Sequence, residues 1–191
     1  KPHWQINADL FDHVVVATTS NEAARLIAPF NSAWSDQTQK LEHAAIATVY
    51  IQASQRFQLP HPMMALISNS QAPAQFAFDR GLMCPKAHTP GLLAFVASAV
   101  QESKEILEAQ IMQQAKDLLR TLGHSNNEID SLEVLQTVVE KRATFACTPN
   151  LERPGNNPYP GLSVCGDYIE GPYPATLEGA VMSGIQAILR A

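Results

Sequence analysis

The stretch Val164-Cys165-Gly166-Asp167-Tyr168-Ile169-Glu170-Gly171-Pro172-Tyr173-Pro174-Ala175-Thr176-Leu177-Glu178-Gly179-Ala180-Val181-Met182-Ser183-Gly184 decides how this chain reads. It describes a short buried strand, a Gly-Asp turn, a tight Gly/Pro loop and the start of a helix. Pro174 suits the first turn of that helix, where no backbone N–H is required. The free N–H groups of a helix start can face a pyrophosphate or a carbonyl oxygen, and Ala175, Thr176 and Leu177 are the residues expected to present them. A carboxylate at a strand end, here Asp167, can accept hydrogen bonds from sugar or sugar-alcohol hydroxyls. Gly179, Ala180, Ser183 and Gly184 keep one helix face small, for close packing, for approach to a ligand, or for both.

Further segments extend the pattern: Glu140-Lys141-Arg142-Ala143-Thr144-Phe145-Ala146, Pro149-Asn150-Leu151-Glu152-Arg153-Pro154, Phe76-Ala77-Phe78-Asp79-Arg80-Gly81, Leu59-Pro60 and Pro62-Met63-Met64. With the C-terminal run they resemble the flavin-binding motif of the amine oxidase and phytoene desaturase superfamily. The narrower similarity is to its squalene-associated FAD-dependent desaturases, the hydroxysqualene dehydroxylases of hopanoid biosynthesis, from about Phe11 to the end. The resemblance implies an α/β (α+β) fold: the C-terminal part of a two-domain, amine-oxidase-like flavoprotein. Residues 1–30 would supply a strand and helix of the FAD-binding domain. Residues 31–149 would form a substrate domain of mixed or antiparallel sheet plus helices, and 150–191 would return to the Rossmann-like FAD domain.

The same resemblance implies FAD as cofactor, held by Ala17 and Thr18 and by Gly166, Asp167, Gly171, Pro172, Tyr173, Pro174, Ala175, Thr176 and Leu177. It implies an apolar triterpene substrate, hydroxysqualene, reduced to squalene by hydride from the reduced flavin. Asp79 and Glu140 are candidate acids for the departing hydroxyl, with Arg80 and Arg142 as electrostatic support. For Phe78-Asp79-Arg80-Gly81, lining a substrate pocket and forming a solvent-facing turn remain open alternatives, and the charges of Glu140-Lys141-Arg142 suit a solvated strand end equally well. Two other functions stay open: a carotenoid or phytoene desaturase-like flavoenzyme, and a non-catalytic lipid-binding domain.

No G-x-G-x-x-G occurs in the chain, although members of the resembling family carry that fingerprint on their first strand and helix. The expectation is therefore a piece of a longer flavoenzyme, with half a dinucleotide site and little activity alone.

Composition bounds the remaining classes. With 191 residues, 46% hydrophobic and 16% charged, the chain can bury a sizeable core. A net charge of -5 without a basic cluster argues against nucleic acid as partner. No apolar run approaches the roughly 20 residues of a membrane span. A cytoplasmic location is expected, with peripheral membrane contact left open by the apolar substrate. Cys84, Cys147 and Cys165 show no C-x-x-C spacing and read as reduced thiols. His3, His13, His43, His61, His88 and His124 are scattered, so no metal is expected.

Along the chain, Leu10 to Thr19 predicts one buried strand, and Ser20 or Asn21 caps a helix that Pro29 stops. Ala45–Gln52, Met63–Ser68, Gln75–Phe78 and Leu92–Val100 predict strands, the last with a helix as alternative, and residues 69–73 a turn. Ser103 caps a helix with Leu107, Ile111, Ala115, Leu118 and Leu122 on one face, ended by Gly123. Ser125-Asn126-Asn127-Glu128 has capping-box spacing, and Val134 to Ala146 is extended. Residues 153–161, rich in Pro and Asn, form a loop.

Overall fold

The computed structural model describes residues 4–189; His3 lies outside them. In chain order it contains β1 (Trp4–Ile6), β2 (Asp9–Phe11), β3 (Val14–Val16), α1 (Ser20–Ile27), α2 (Ser32–Gln39), β4 (His43–Gln52), β5 (Met63–Ala65), β6 (Phe76–Asp79), α3 (Arg80–Met83), β7 (Leu92–Ser98), α4 (Lys104–Thr121), α5 (Asn126–Asp130), β8 (Glu133–Phe145), β9 (Leu162–Val164) and α6 (Leu177–Leu189). The mixed α/β class with an antiparallel sheet is as expected. The chain divides into two compact units, Lys1–His43 with Thr144–Ala191, and Ala44–Ala143. The first unit runs past the expected boundary at residue 30 because α2 packs on α1, with Ser35 Oγ donating to the Ala24 carbonyl at 2.8 Å.

In the first unit, β3 and β9 pair in parallel, with Val14 opposite Leu162 and Val16 opposite Val164. The single strand expected over Leu10–Thr19 is broken. Asp9–Phe11 turns back onto Trp4–Ile6 as an antiparallel hairpin, and Val14–Val16 pairs elsewhere. The core gathers Ala23, Ile27, Trp34, Leu41, Phe145, Leu162, Val164, Tyr168 and Ile169. The cap of α1 also differs: Thr19 occupies the N-cap position with no side-chain cap bond, so neither Ser20 nor Asn21 caps it. At α2, Asn31 accepts from the Trp34 N–H and its amide donates to the Pro158 carbonyl, while Trp34 Nε1 donates to Gly155. These bonds tie the helix to the loop that leads into β9.

In the second unit, five antiparallel-type strands lie in the order β5-β6-β7-β4-β8. One face is covered by α4 and α5. Ala47, Val49, Ile51, Ala77, Leu93, Phe95 and Ala97 from the sheet meet Leu107, Ile111, Ala115, Leu119 and Ile129 from the helices. Ser103 accepts from the Ile106 N–H, and Ser125 with Glu128 forms a complete capping box. The buried stripe of α4 ends on Leu119; Leu118 and Leu122 only border it. Residues 92–98 are strand, which settles the helix alternative. The strand expected to reach Ser68 stops at Ala65, before an Asn69 side chain that accepts from the Gln71 and Ala72 N–H groups and closes a turn.

Candidate cofactor site

Parallel strands place their carboxyl ends side by side, and in open α/β sheets ligands bind at those ends. Here β3 runs out into Ala17 and Thr18, and β9 into Cys165, Gly166 and Asp167. Two bonds hold the two exits together and a third joins the opposite, entry end of the pair. The Cys165 N–H donates to Val16 O at 3.0 Å, the Tyr168 hydroxyl donates to Thr18 O at 3.2 Å, and the Val14 N–H donates to Gly161 O at 3.0 Å. The residues expected at the two ends of the chain as cofactor ligands are therefore brought to one sheet end.

Gly166 is fixed from the helix side. Its N–H donates to Ser183 Oγ at 2.9 Å, and the same hydroxyl lies 3.0 Å from Gly166 O and 2.7 Å from Ala180 O. A Cβ at Gly166 would fall 2.3 Å from the Tyr168 ring, so glycine makes room for that ring. Burial, and after it the neighbouring Cys165 and Asp167, push the Tyr168 hydroxyl far above the ordinary tyrosine range. Burial alone raises the half-buried Cys165 thiol, which sits just past β9. The Asp167 backbone carbonyl accepts from Ala175 at 3.3 Å, whereas its carboxylate makes no hydrogen bond or ion pair among the described residues.

The helix start differs from expectation. Tyr173 and Ala175 both have φ near +58°, which a helix does not tolerate, so Pro174 lies in a turn and α6 begins at Leu177. The Ala175 N–H is consumed by Asp167. Thr176 acts as the cap: its hydroxyl donates to Tyr173 O at 2.6 Å and accepts from the Gly179 N–H at 3.0 Å. Leu177 and Glu178 are left as the first helical N–H groups without an intrahelical acceptor. Gly179 lets the Tyr173 carbonyl lie against the helix, since a Cβ there would sit 2.3 Å from that oxygen.

These features fit part of a flavin dinucleotide. A free carboxylate at a strand end suits a ribityl or ribose hydroxyl. Two open N–H groups with the Glu178 carboxylate in the same first turn suit a neutral ring carbonyl oxygen better than a phosphate. Gly171, Pro172 and Tyr173 form the loop between the two.

The residues expected to be catalytic lie in the second unit at two separate places. Asp79 closes β6 and is 1% exposed; its two oxygens accept from the Leu59 and Leu82 N–H groups, both at 2.9 Å. It caps α3, whose first residue is Arg80. Glu140 and Arg142 lie exposed on β8, where the Glu140 carboxylate accepts from the Arg142 N–H at 3.2 Å. β6 and β8 are three strand spacings apart in the sheet, about 14 Å, so the two charge pairs do not meet. Asp79 is thus neither in a solvent-facing turn nor free to reach a substrate. The sheet face opposite α4 carries Tyr50, Met63, Phe76, Phe78 and Val96; Phe76 and Phe78 have ring centroids 6.2 Å apart.

No curated protein matches this chain. Solved structures do. An oxidoreductase from Methanosarcina mazei is 18% identical, with a TM-score of 0.60 over 97% of this chain and 44% of that one. A Pyrococcus furiosus protein is 14% identical, with a TM-score of 0.58 over 94% and 40%. A protein of Exiguobacterium sp. 255-15, named for protoporphyrinogen oxidase, is 16% identical, with a TM-score of 0.55 over 95% and 42%. At these identities the likeness is one of fold, and this chain spans less than half the length of each. A family model for flavin containing amine oxidoreductase matches residues 5–187. With a sheet-end carboxylate and helix start that suit a flavin, and a family match along nearly its whole length, the chain belongs to the flavin containing amine oxidoreductase family.

Proposed function

We propose that the chain supplies part of the cofactor site and the substrate platform of an FAD-dependent oxidoreductase that reduces hydroxysqualene to squalene. The observation that carries the cofactor half is the Asp167 carboxylate, pinned at its backbone and, among the described residues, without a hydrogen bond or ion pair at its side chain, beside an open helix start. Asp167 would hold a hydroxyl of the FAD sugar-alcohol chain, and the N–H groups of Leu177 and Glu178 a ring carbonyl oxygen. Thr18 borders the same sheet end. When bound, reduced FAD supplies the hydride.

The substrate half rests on the resemblance of Glu140–Phe145 and Gly171–Val181 to hydroxysqualene dehydroxylases. The apolar sheet face of Tyr50, Met63, Phe76, Phe78 and Val96 supports it, because a C30 hydrocarbon offers almost nothing but apolar surface to recognise. Loss of the hydroxyl requires a proton on the leaving oxygen; the products are water and, after hydride addition, squalene. Glu140 is the carboxyl assigned to give that proton, with Arg142 as its charged neighbour. Asp79 already spends both oxygens on backbone N–H groups and is assigned to the fold.

The test is flavin binding, read from the absorbance retained after desalting, followed by turnover of hydroxysqualene. Asp167→Ala is expected to weaken FAD binding at least tenfold, and Glu140→Gln to slow turnover by about 10²–10⁴. Equal FAD binding by Asp167→Ala would overturn the cofactor assignment. Full turnover by Glu140→Gln would remove the acid. Oxidation of a polyene in place of reduction of the alcohol would redirect the substrate assignment to a desaturase.

A further inference from the structure

We infer that Arg153 is a positioning residue that holds the Ile169–Gly171 turn, and through it the Asp167 carboxylate and the start of α6, in the form that receives the cofactor. The part of this that concerns the cofactor rests on the flavin reading above. Arg153 lies on the segment leading into β9, 16 residues before the Ile169 whose carbonyl it binds. Its Nη1–H donates to Ile169 O at 2.7 Å, and its Nη2–H donates to Gly171 O. The N–H of Glu170, between those two carbonyls, donates back to the carbonyl of the buried Pro154 at 2.9 Å. Residues 169–171 are therefore gripped on both sides by the Arg153-Pro154 pair.

The segment from Cys165 to Thr176 has no helix or strand of its own. It carries three positive φ values, at Gly171, Tyr173 and Ala175. A backbone in such regions keeps its conformation only when its surroundings over-determine it. Tyr168, Thr176 and Ser183 contribute neutral hydrogen bonds. Arg153 adds charge-assisted ones from a rigid, planar donor set. It makes no ion pair among the described residues, so its guanidinium is committed to these carbonyls. A lysine in its place would carry the charge without a fork able to span two carbonyls.

The test compares the wild-type protein with Arg153→Ala and Arg153→Lys by amide hydrogen exchange without ligand, and by FAD affinity. The expected result is at least tenfold faster exchange at the Ile169, Glu170 and Ala175 amides in both variants, with the α4 amides unchanged. FAD affinity should fall at least tenfold in both. Unchanged exchange in Arg153→Ala overturns the proposal, as does faster exchange with unchanged FAD affinity. Recovery of both readouts by Arg153→Lys overturns it too, because the role would then be one of charge. If the wild-type protein takes up no FAD, the flavin reading fails, and the exchange rates still decide whether Arg153 holds the turn.

Discussion

At the scale of single residues, Tyr168 connects fold and pH. Its ring fills the space that Gly166 leaves, and its hydroxyl donates to Thr18 at the end of β3. Burial raises its pKa above the unfolded value, so the neutral phenol is the form the fold prefers. The stability tied to that preference is complete below about pH 10, the ordinary tyrosine value. It is lost as pH rises beyond that, since the unfolded chain releases its proton first. Tyr168→Phe is expected to lower stability by about 0.5–1.5 kcal/mol at neutral pH through the lost hydrogen bond. It should also flatten the decline above pH 10 relative to wild type, as measured by urea unfolding across pH. Any alkaline decline left in the variant has a second source in Cys165, whose thiol burial also raises. A variant with the wild-type alkaline slope would show that Tyr168 is not the group responsible.

At the scale of elements, several local signals are readable where side chains make the local decision. The Ser125–Glu128 box, the Ser103 cap and the β-branched and aromatic make-up of β4 appear in the sequence as they appear in the structure. What was not readable depends on distant partners. The hairpin of β1 and β2 interrupts an apolar run that looks continuous, and α2 is anchored by bonds to the 155–158 loop. The start of α6 moved three residues because Tyr173 and Ala175 adopt left-handed backbone, which nothing in a Tyr-Pro-Ala sequence announces. The sheet-end meeting of Thr18 with the Gly-Asp turn is legible only through resemblance, and in the sequence Ser183 shows only its small size. In the structure its hydroxyl is the bond between α6 and the turn. Ser183→Ala leaves the Gly166 N–H and carbonyl without that partner, at an expected cost of about 1–3 kcal/mol. Thermal unfolding measures the cost, and amide exchange at Gly166 locates it. A loss within about 0.5 kcal/mol, the usual range of surface substitutions, would mean that α6 is held by packing alone.

At the scale of the whole molecule, the two units have different standing. The first is discontinuous in sequence, and its α6 exposes Leu177, Val181, Ile185, Ile188 and Leu189, each at least half accessible. Its parallel sheet has two strands, and parallel sheets are ordinarily covered on both faces. The second unit is continuous from Ala44 to Ala143 and owns a closed core in which Val49, Ile51, Leu93, Phe95, Leu107, Ile111, Leu119 and Ile129 are at most 1% exposed. Its hydrogen bonds are also internal. Gln114 reaches from α4 to both backbone groups of Ala74, and Thr137 on β8 donates to Glu108 on α4. About 100 residues is a usual size for an autonomous domain. β5, β6 and β7 pair in chain order, whereas β4 pairs with the distant β7 and β8, which slows folding. On its closed core and internal bonds the peptide 44–143 is nonetheless expected to fold alone, with a single cooperative transition by circular dichroism in urea and an m-value proportionate to its length. A broad, non-cooperative transition would show that β4 and β8 need their first-unit ends, His43 and Thr144–Phe145, to pair. In that event the substrate platform could not be separated from the cofactor half without losing both.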